Sequence, residues 1–196
     1  MPFPENIPSV LGASMKTKHL TTLAMFTTLA LIIFTIESAI PPLVPIPGIK
    51  LGLANIITLV LLHNYSAKDA FLVLMVRILL ACFFFGQALS LLYSLAGGIV
   101  CFVAMLLVHR LLKGNYLFLV SIIGGIFHNL GQIAIAYLIT EVPGVLVYLP
   151  FLLLSGIVTG LFTGLCAHFM NRHLLPLIIV SRSSAKSDDD NSARFH

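Results

Sequence analysis

The sequence predicts an all-α polytopic membrane protein of six transmembrane helices, and three observations carry that expectation. Of its 196 residues, 59% are hydrophobic and only 9% charged, whereas about a quarter of the residues in an ordinary soluble domain are charged. The mean hydropathy is +1.05. The basic residues fall between apolar blocks and on alternate sides of them. Lys16 and Lys18 precede the first block, Lys68 lies between the second and third, Arg110 and Lys113 follow the fourth, and Arg172, Arg182, Lys186 and Arg194 follow the last. Short basic loops stay in the cytoplasm. Both termini are therefore expected inside a bacterial cytoplasmic membrane, with Glu37, Lys50 and Glu141 on the outer connections. Topology also explains the net charge of +4 better than a nucleic-acid surface would.

Residues 1–18 hold three prolines and no apolar period, which predicts a loose cytoplasmic arm. The membrane domain is expected over 19–175, opening with a span at Leu20–Ile36. A cleavage-like run at Thr35 and Ser38-Ala39-Ile40 is followed by five more apolar blocks, so the first block is retained as a span. The segment Glu37–Lys50 carries four prolines and a glycine and excludes regular helix. The second span, about Lys50 to His63, measures only ~20 Å against a hydrocarbon core of ~30 Å. A short helix joined to a Pro-rich apolar stretch predicts a partly re-entrant first outer loop, and such backbone is tolerated only beside protein or a water-filled cavity. Spans three to six are expected at Asp69–Phe85, Leu91–Leu112, Leu117–Ile139 and Val145–Met170. Asp69 suits the positive N-terminal end of span three. Residues 176–196 form a polar tail expected to be disordered, and no internal repeat stands out.

Polar groups inside hydrocarbon are costly, so each requires a reason. Arg77, near the middle of span three, costs about 2.5–3.5 kcal/mol on the lenient insertion scale. Two readings stand side by side: an ion pair with Glu37 or a helix-end carbonyl, and a fixed positive charge lining a ligand cavity. Span five carries GGIFHNLGQ from Gly124 to Gln132. Gly124, His128 and Gln132 are spaced by four and share a stripe, with Asn129 beside it. These side chains serve either a ligand or interhelical hydrogen bonding. Lys50 and Asn55 stand at the outer mouth of the short second span, where a helix N-terminus near Lys50 adds positive potential. If these groups converge with Glu37, then Lys50, Arg77 and a protonated His128 outweigh the one acid and favour an anionic ligand.

Span six repeats glycine at Gly156, Gly160 and Gly164, a small-xxx-small stripe that marks tight helix packing. Span one has a weaker stripe of Thr21, Ala24, Thr28 and Thr35. Cys82, Cys101 and Cys166 lie inside apolar blocks without metal-ligand spacing and read as small core residues. There is no Walker loop, no GxSxG and no paired His/Cys set. Asp188–Asp190 lies in the polar tail. The expectation is of a protein with no metal, no cofactor and no catalytic residues.

The run IPPLVPIPGIKLGLANIITL, with GGIFHNLGQ in span five, resembles the bacterial Gx transporter family, whose members are labelled heptaprenyl diphosphate synthase component I. The likeness covers about residues 20–172, and its matching positions are Pro47, Gly48, Lys50, Gly52, Asn55, His128, Asn129 and Gln132. The family looks related to the substrate-binding S-components of energy-coupling-factor (ECF) vitamin transporters. That resemblance implies a non-enzymatic subunit that captures a small vitamin- or cofactor-like molecule at the first loop and outer helix halves. It also implies a transmembrane coupling protein and cytoplasmic ATPases as partners, besides membrane lipid. S-components commonly dock through Ala-xxx-Ala on the first span. Here Ala24 is followed by Thr28, which makes the span-six glycines a rival docking face. An accessory role in heptaprenyl diphosphate or quinone synthesis is the alternative, although the Asp-rich motifs that hold magnesium and diphosphate in such synthases have no intramembrane counterpart.

Overall fold

The computed structural model describes residues 7–40, 50–85, 88–113 and 116–174. Within them the chain is helical: α1 Ile7–Ala39, α2 Asn55–Asn64, α3 Ala67–Phe85, α4 Ala88–Leu111, α5 Leu117–Thr140 and α6 Leu149–Phe169. A 3-10 turn, Pro143–Tyr148, leads into α6, and a π turn, Met170–Leu174, ends it. The Pro-rich outer loop, with Pro47 and Gly48, and the polar tail at 176–196 lie outside the described residues.

Among the described residues there are six α-helices, but they are not six equal spans. Among the described residues, four stretches are long and apolar enough to cross a membrane: Thr17–Ala39, Ala88–Leu111, Leu117–Thr140 and Pro143–His173. The 19 residues of α3 reach ~28 Å, enough to cross, but they carry three charges in Lys68, Asp69 and Arg77. The ten residues of α2 reach only ~15 Å. Every residue from Asn55 to Leu62 is buried, and a helix apolar on all sides belongs inside protein. Its Ile57, Leu59, Val60 and Leu61 form the middle of the main core with Phe26 of α1, Leu74 of α3, Met105 of α4 and Val120 of α5. Thus α2 needs no membrane-spanning length, because neighbouring helices surround it.

Three boundaries differ from the sequence expectation. Helix α1 already includes Ile7, well inside the expected loose arm. The second helix begins at Asn55 and not near Lys50. Gly52 adopts φ +82°, a left-handed conformation that breaks the helix and that glycine reaches without a Cβ clash. The dipole of α2 therefore starts five residues beyond the Lys50 ammonium. Before α6 the chain turns through the 3-10 segment, where Pro143 follows the left-handed Glu141, φ +54°.

Helix α5 holds the second half of the molecule together. It packs over long stretches against both α4 and α6. Gly125 of α5 and Gly156 of α6 face each other backbone to backbone, so that a Cβ on Gly156 would lie 2.9 Å from the Gly125 carbonyl oxygen. Gly160 and Gly164 continue the contact against Ile122 and Phe118, and Ser121 and Thr163 share a 2.6 Å hydrogen bond across it. The three-glycine stripe of α6 is thereby directed at α5 of the same chain.

Candidate functional site

Of the polar residues singled out in the sequence, Glu37, Lys50, Asn55, His128 and Gln132 meet at one end of the bundle, where α1 ends and α2 begins. Glu37, on the last turns of α1, is buried, and its Oε1 accepts the Gly52 N–H at 2.5 Å. Asn55 Nδ2 donates to His128 Nδ1 at 3.2 Å. The Gln132 amide grips the backbone of Lys50: its Nε2 donates to the Lys50 carbonyl at 3.0 Å and its Oε1 accepts the Lys50 N–H at 3.3 Å. The same oxygen accepts from His128 Nε2 at 3.1 Å. The irregular stretch from Lys50 to Ala54 is therefore clipped to α1 through Glu37 and to α5 through Gln132 and His128. Irregular backbone at membrane depth requires such partners.

His128 has no space around it. A Cβ on Gly52 would lie 2.7 Å from its Cδ2, and one on Gly97 would lie 2.9 Å from its Cε1. Both ring nitrogens are occupied, Nδ1 as acceptor and Nε2 as donor, which defines a neutral imidazole. The sequence expectation of a protonated His128 that adds charge is thus replaced by a neutral ring acting as a spacer and hydrogen-bond bridge. Asn129 does not join the cluster. One residue advances the helix by about 100°, and its Nδ2 donates to the Leu152 carbonyl at 2.6 Å and to Ser155 Oγ at 3.0 Å on α6. Its placement is that of an interhelical bond.

The charges remaining are Glu37, Lys50 and Arg77. Glu37 is near enough to both cations to act on them electrostatically. Among the described residues it forms no direct ion pair with either. Lys50 Nζ donates to Ser38 Oγ at 2.7 Å and sits 3.5 Å from the centroid of the Phe34 ring, a cation–π contact. Arg77 is 5% exposed, and its Nε has no hydrogen-bond partner. A buried guanidinium N–H without a partner is rare and costly. The formal sum of the cluster is one positive charge.

Beside it lies a small cleft lined by Phe34, Ser38 and Lys50, by Ala81 and Cys82 of α3, and by Ser90 and Ser94 of α4. Its accessible space, about 30 Å³, holds one or two waters. Ser90 Oγ is also buried without a partner. Ser38, Ser90 and Ser94 were not legible as site residues, although the i, i+4 spacing of Ser90 and Ser94 along an apolar helix was a usable signal. Pro47 and Gly48 lie outside the described residues.

Among the described residues no group of three His, Cys, Asp or Glu side chains is placed to hold a metal ion. The three cysteines are free thiols. No curated protein and no solved structure matches the chain significantly. A family model described as heptaprenyl diphosphate synthase component I matches residues 26–170. That match takes in the helices from the middle of α1 to the end of α6, with Lys50, Arg77 and the α5 polar stripe inside it, and the chain belongs to the heptaprenyl diphosphate synthase component I family.

Proposed function

We propose that this protein is a substrate-binding membrane subunit of ECF type that captures a small anionic, vitamin- or cofactor-like molecule and is not itself an enzyme. The observation that carries this reading is Arg77, a buried cation with an unsatisfied Nε–H, near enough to Glu37 and Lys50 to act on both electrostatically. A structural arginine at membrane depth is normally paired. One left partly unpaired is suited to a carboxylate or phosphate, which it binds through charge-assisted hydrogen bonds. The cleft holds only waters, so admission of a larger molecule requires the Lys50–Ala54 clip to open. Gln132 and Glu37 then act as the groups that hold it shut. ATP hydrolysis would come from partner proteins, through a membrane coupling subunit.

Mass spectrometry of small molecules that leave the purified protein on denaturation tests this directly. An anionic compound retained by the native chain and lost from Arg77→Met supports the reading. Equal retention by both removes Arg77 from the site. Orientation is tested separately: single cysteines at Lys68 and Lys113 are expected to label only from the cytoplasm, and one at Glu141 only from outside. The second reading, an accessory role in heptaprenyl diphosphate synthesis, draws on the family description. Adding the purified protein to a catalytic prenyl synthase either changes product chain length or it does not, and a change would favour that reading.

A further inference from the structure

Away from the polar cluster, α1 and α3 leave between them a groove of about 310 Å³. One wall carries Leu20, Ala24 and Thr28, and the other Leu72, Val76 and Leu80, each set spaced by four along its helix and so on one face. The threonines add no free polarity. Thr27 Oγ1 donates to the Leu23 carbonyl at 2.8 Å and Thr28 Oγ1 to the Ala24 carbonyl at 3.0 Å, so both hydroxyls are spent within α1. From Leu20 to Leu31, another lining residue, the groove follows α1 for ~16 Å, about one leaflet of a ~30 Å hydrocarbon core.

Its charged end is one-sided. Lys68 stands one turn before Leu72 on the same face of α3, and exposed Lys18 lies two residues before Leu20. Asp69, the acid there among the described residues, is already occupied by His19 Nε2 at 3.1 Å, Ser66 Oγ at 2.8 Å and the Ser66 N–H at 3.3 Å. An apolar channel one leaflet deep that opens beside Lys68, which has no acidic partner among the described residues, matches an amphiphile with a hydrocarbon tail and an anionic head. We propose that the α1–α3 groove is a specific site for an anionic phospholipid of the leaflet on the Lys18/Lys68 side, its acyl chain along Ala24 and Thr28 and its phosphate beside Lys68. This rests on the groove and its charges alone, and not on the substrate-binding reading.

The test reconstitutes the full chain in vesicles of equal phosphatidylglycerol and phosphatidylcholine, extracts it in mild detergent and counts retained lipids by native mass spectrometry. The expected result is preferential retention of phosphatidylglycerol. Lys68→Gln is expected to reduce that preference about fivefold, and Thr28→Leu to expel the lipid by filling the groove. Because the chain contains no tryptophan, a single Trp at Leu31 gives a second readout: brominated phosphatidylglycerol should quench it more strongly than brominated phosphatidylcholine. Equal retention of the two lipids, unchanged retention in Thr28→Leu, or equal quenching would each overturn the proposal. So would crosslinking of Leu31 to a partner helix in native membranes.

Discussion

Where α5 crosses α6, a Cβ on Gly160 would lie 2.6 Å from the Cα of Ile122, whereas α1 and α3 stand apart around a groove of about 310 Å³. In the first region, polar side chains have found partners across the interface: Ser121 with Thr163, Asn129 with Leu152 and Ser155. In the second, Arg77 Nε on α3 has none. Small residues and polar groups paired across the crossing make the α5–α6 contact close-packed. Empty volume between α1 and α3, with the unmet Arg77 Nε on α3, places that side at the low-stability end, from which moving and binding elements are drawn. The clip from Lys50 to Ala54 is the seam between the halves, held to the rigid side by Gln132 and to the compliant side by Glu37.

The largest effect should come from the rigid side. Gly160→Val has nowhere to place its methyl groups except into α5 backbone, and overpacking of this kind costs about 3 kcal/mol or more. Thermal unfolding of the purified variant should fall sharply, and a wild-type melting curve would show that the α5–α6 crossing yields. Next comes the seam. Gln132→Leu removes the partners of the Lys50 N–H, the Lys50 carbonyl and His128 Nε2, at a cost of about 2 kcal/mol. Faster hydrogen exchange around Lys50 should accompany it, and exchange unchanged from wild type would mean the clip is held from elsewhere.

On the compliant side the expected stability changes are small or reversed. Arg77→Met removes a buried charge with an unmet N–H and leaves Lys50 and the Gly52 N–H to compensate Glu37, which limits the penalty of leaving a buried charge unpaired. Its melting temperature should hold or rise while retention of an anionic ligand drops at least tenfold. A clear loss of stability would reassign Arg77 to a structural ion pair with Glu37. Thr28→Leu, on the groove wall, should alter stability by less than about 0.5 kcal/mol, since the hydroxyl it removes is bonded only within its own helix.

Hydropathy and charge placement made the helices legible, because burial in lipid acts on every residue of a span alike. The exception was α2, whose start depends on the left-handed turn at Gly52, a local conformation that an apolar run conceals. The depth of Arg77 and the stripe of His128 and Gln132 were readable from spacing alone. Their use was not. Gln132 is committed to the Lys50 backbone, a contact across about eighty residues of sequence that side-chain type does not specify. Asn129 was grouped with its neighbours because it is polar, yet one step along a helix turns it toward α6. Ser90 and Ser94 escaped notice because serine is common in membrane helices and becomes informative only when the cleft beside it is seen.

One property of α1 reaches further than its packing. Between Leu23 and Thr35 the hydroxyls of Thr27, Thr28 and Thr35 all return to carbonyls of α1 itself. The polar anchors to other segments sit near its two ends, His19 on Asp69 at one and Glu37 on Gly52 at the other. A rod held at its ends, with only hydrocarbon along its shaft, has a smooth bearing surface: it can roll about its long axis without breaking directional bonds midway. Release of the Glu37 bond together with the Lys50 contacts to Ser38 and Phe34 would free such a rotation at that end, transmitting an event there to the His19 end ~27 Å away.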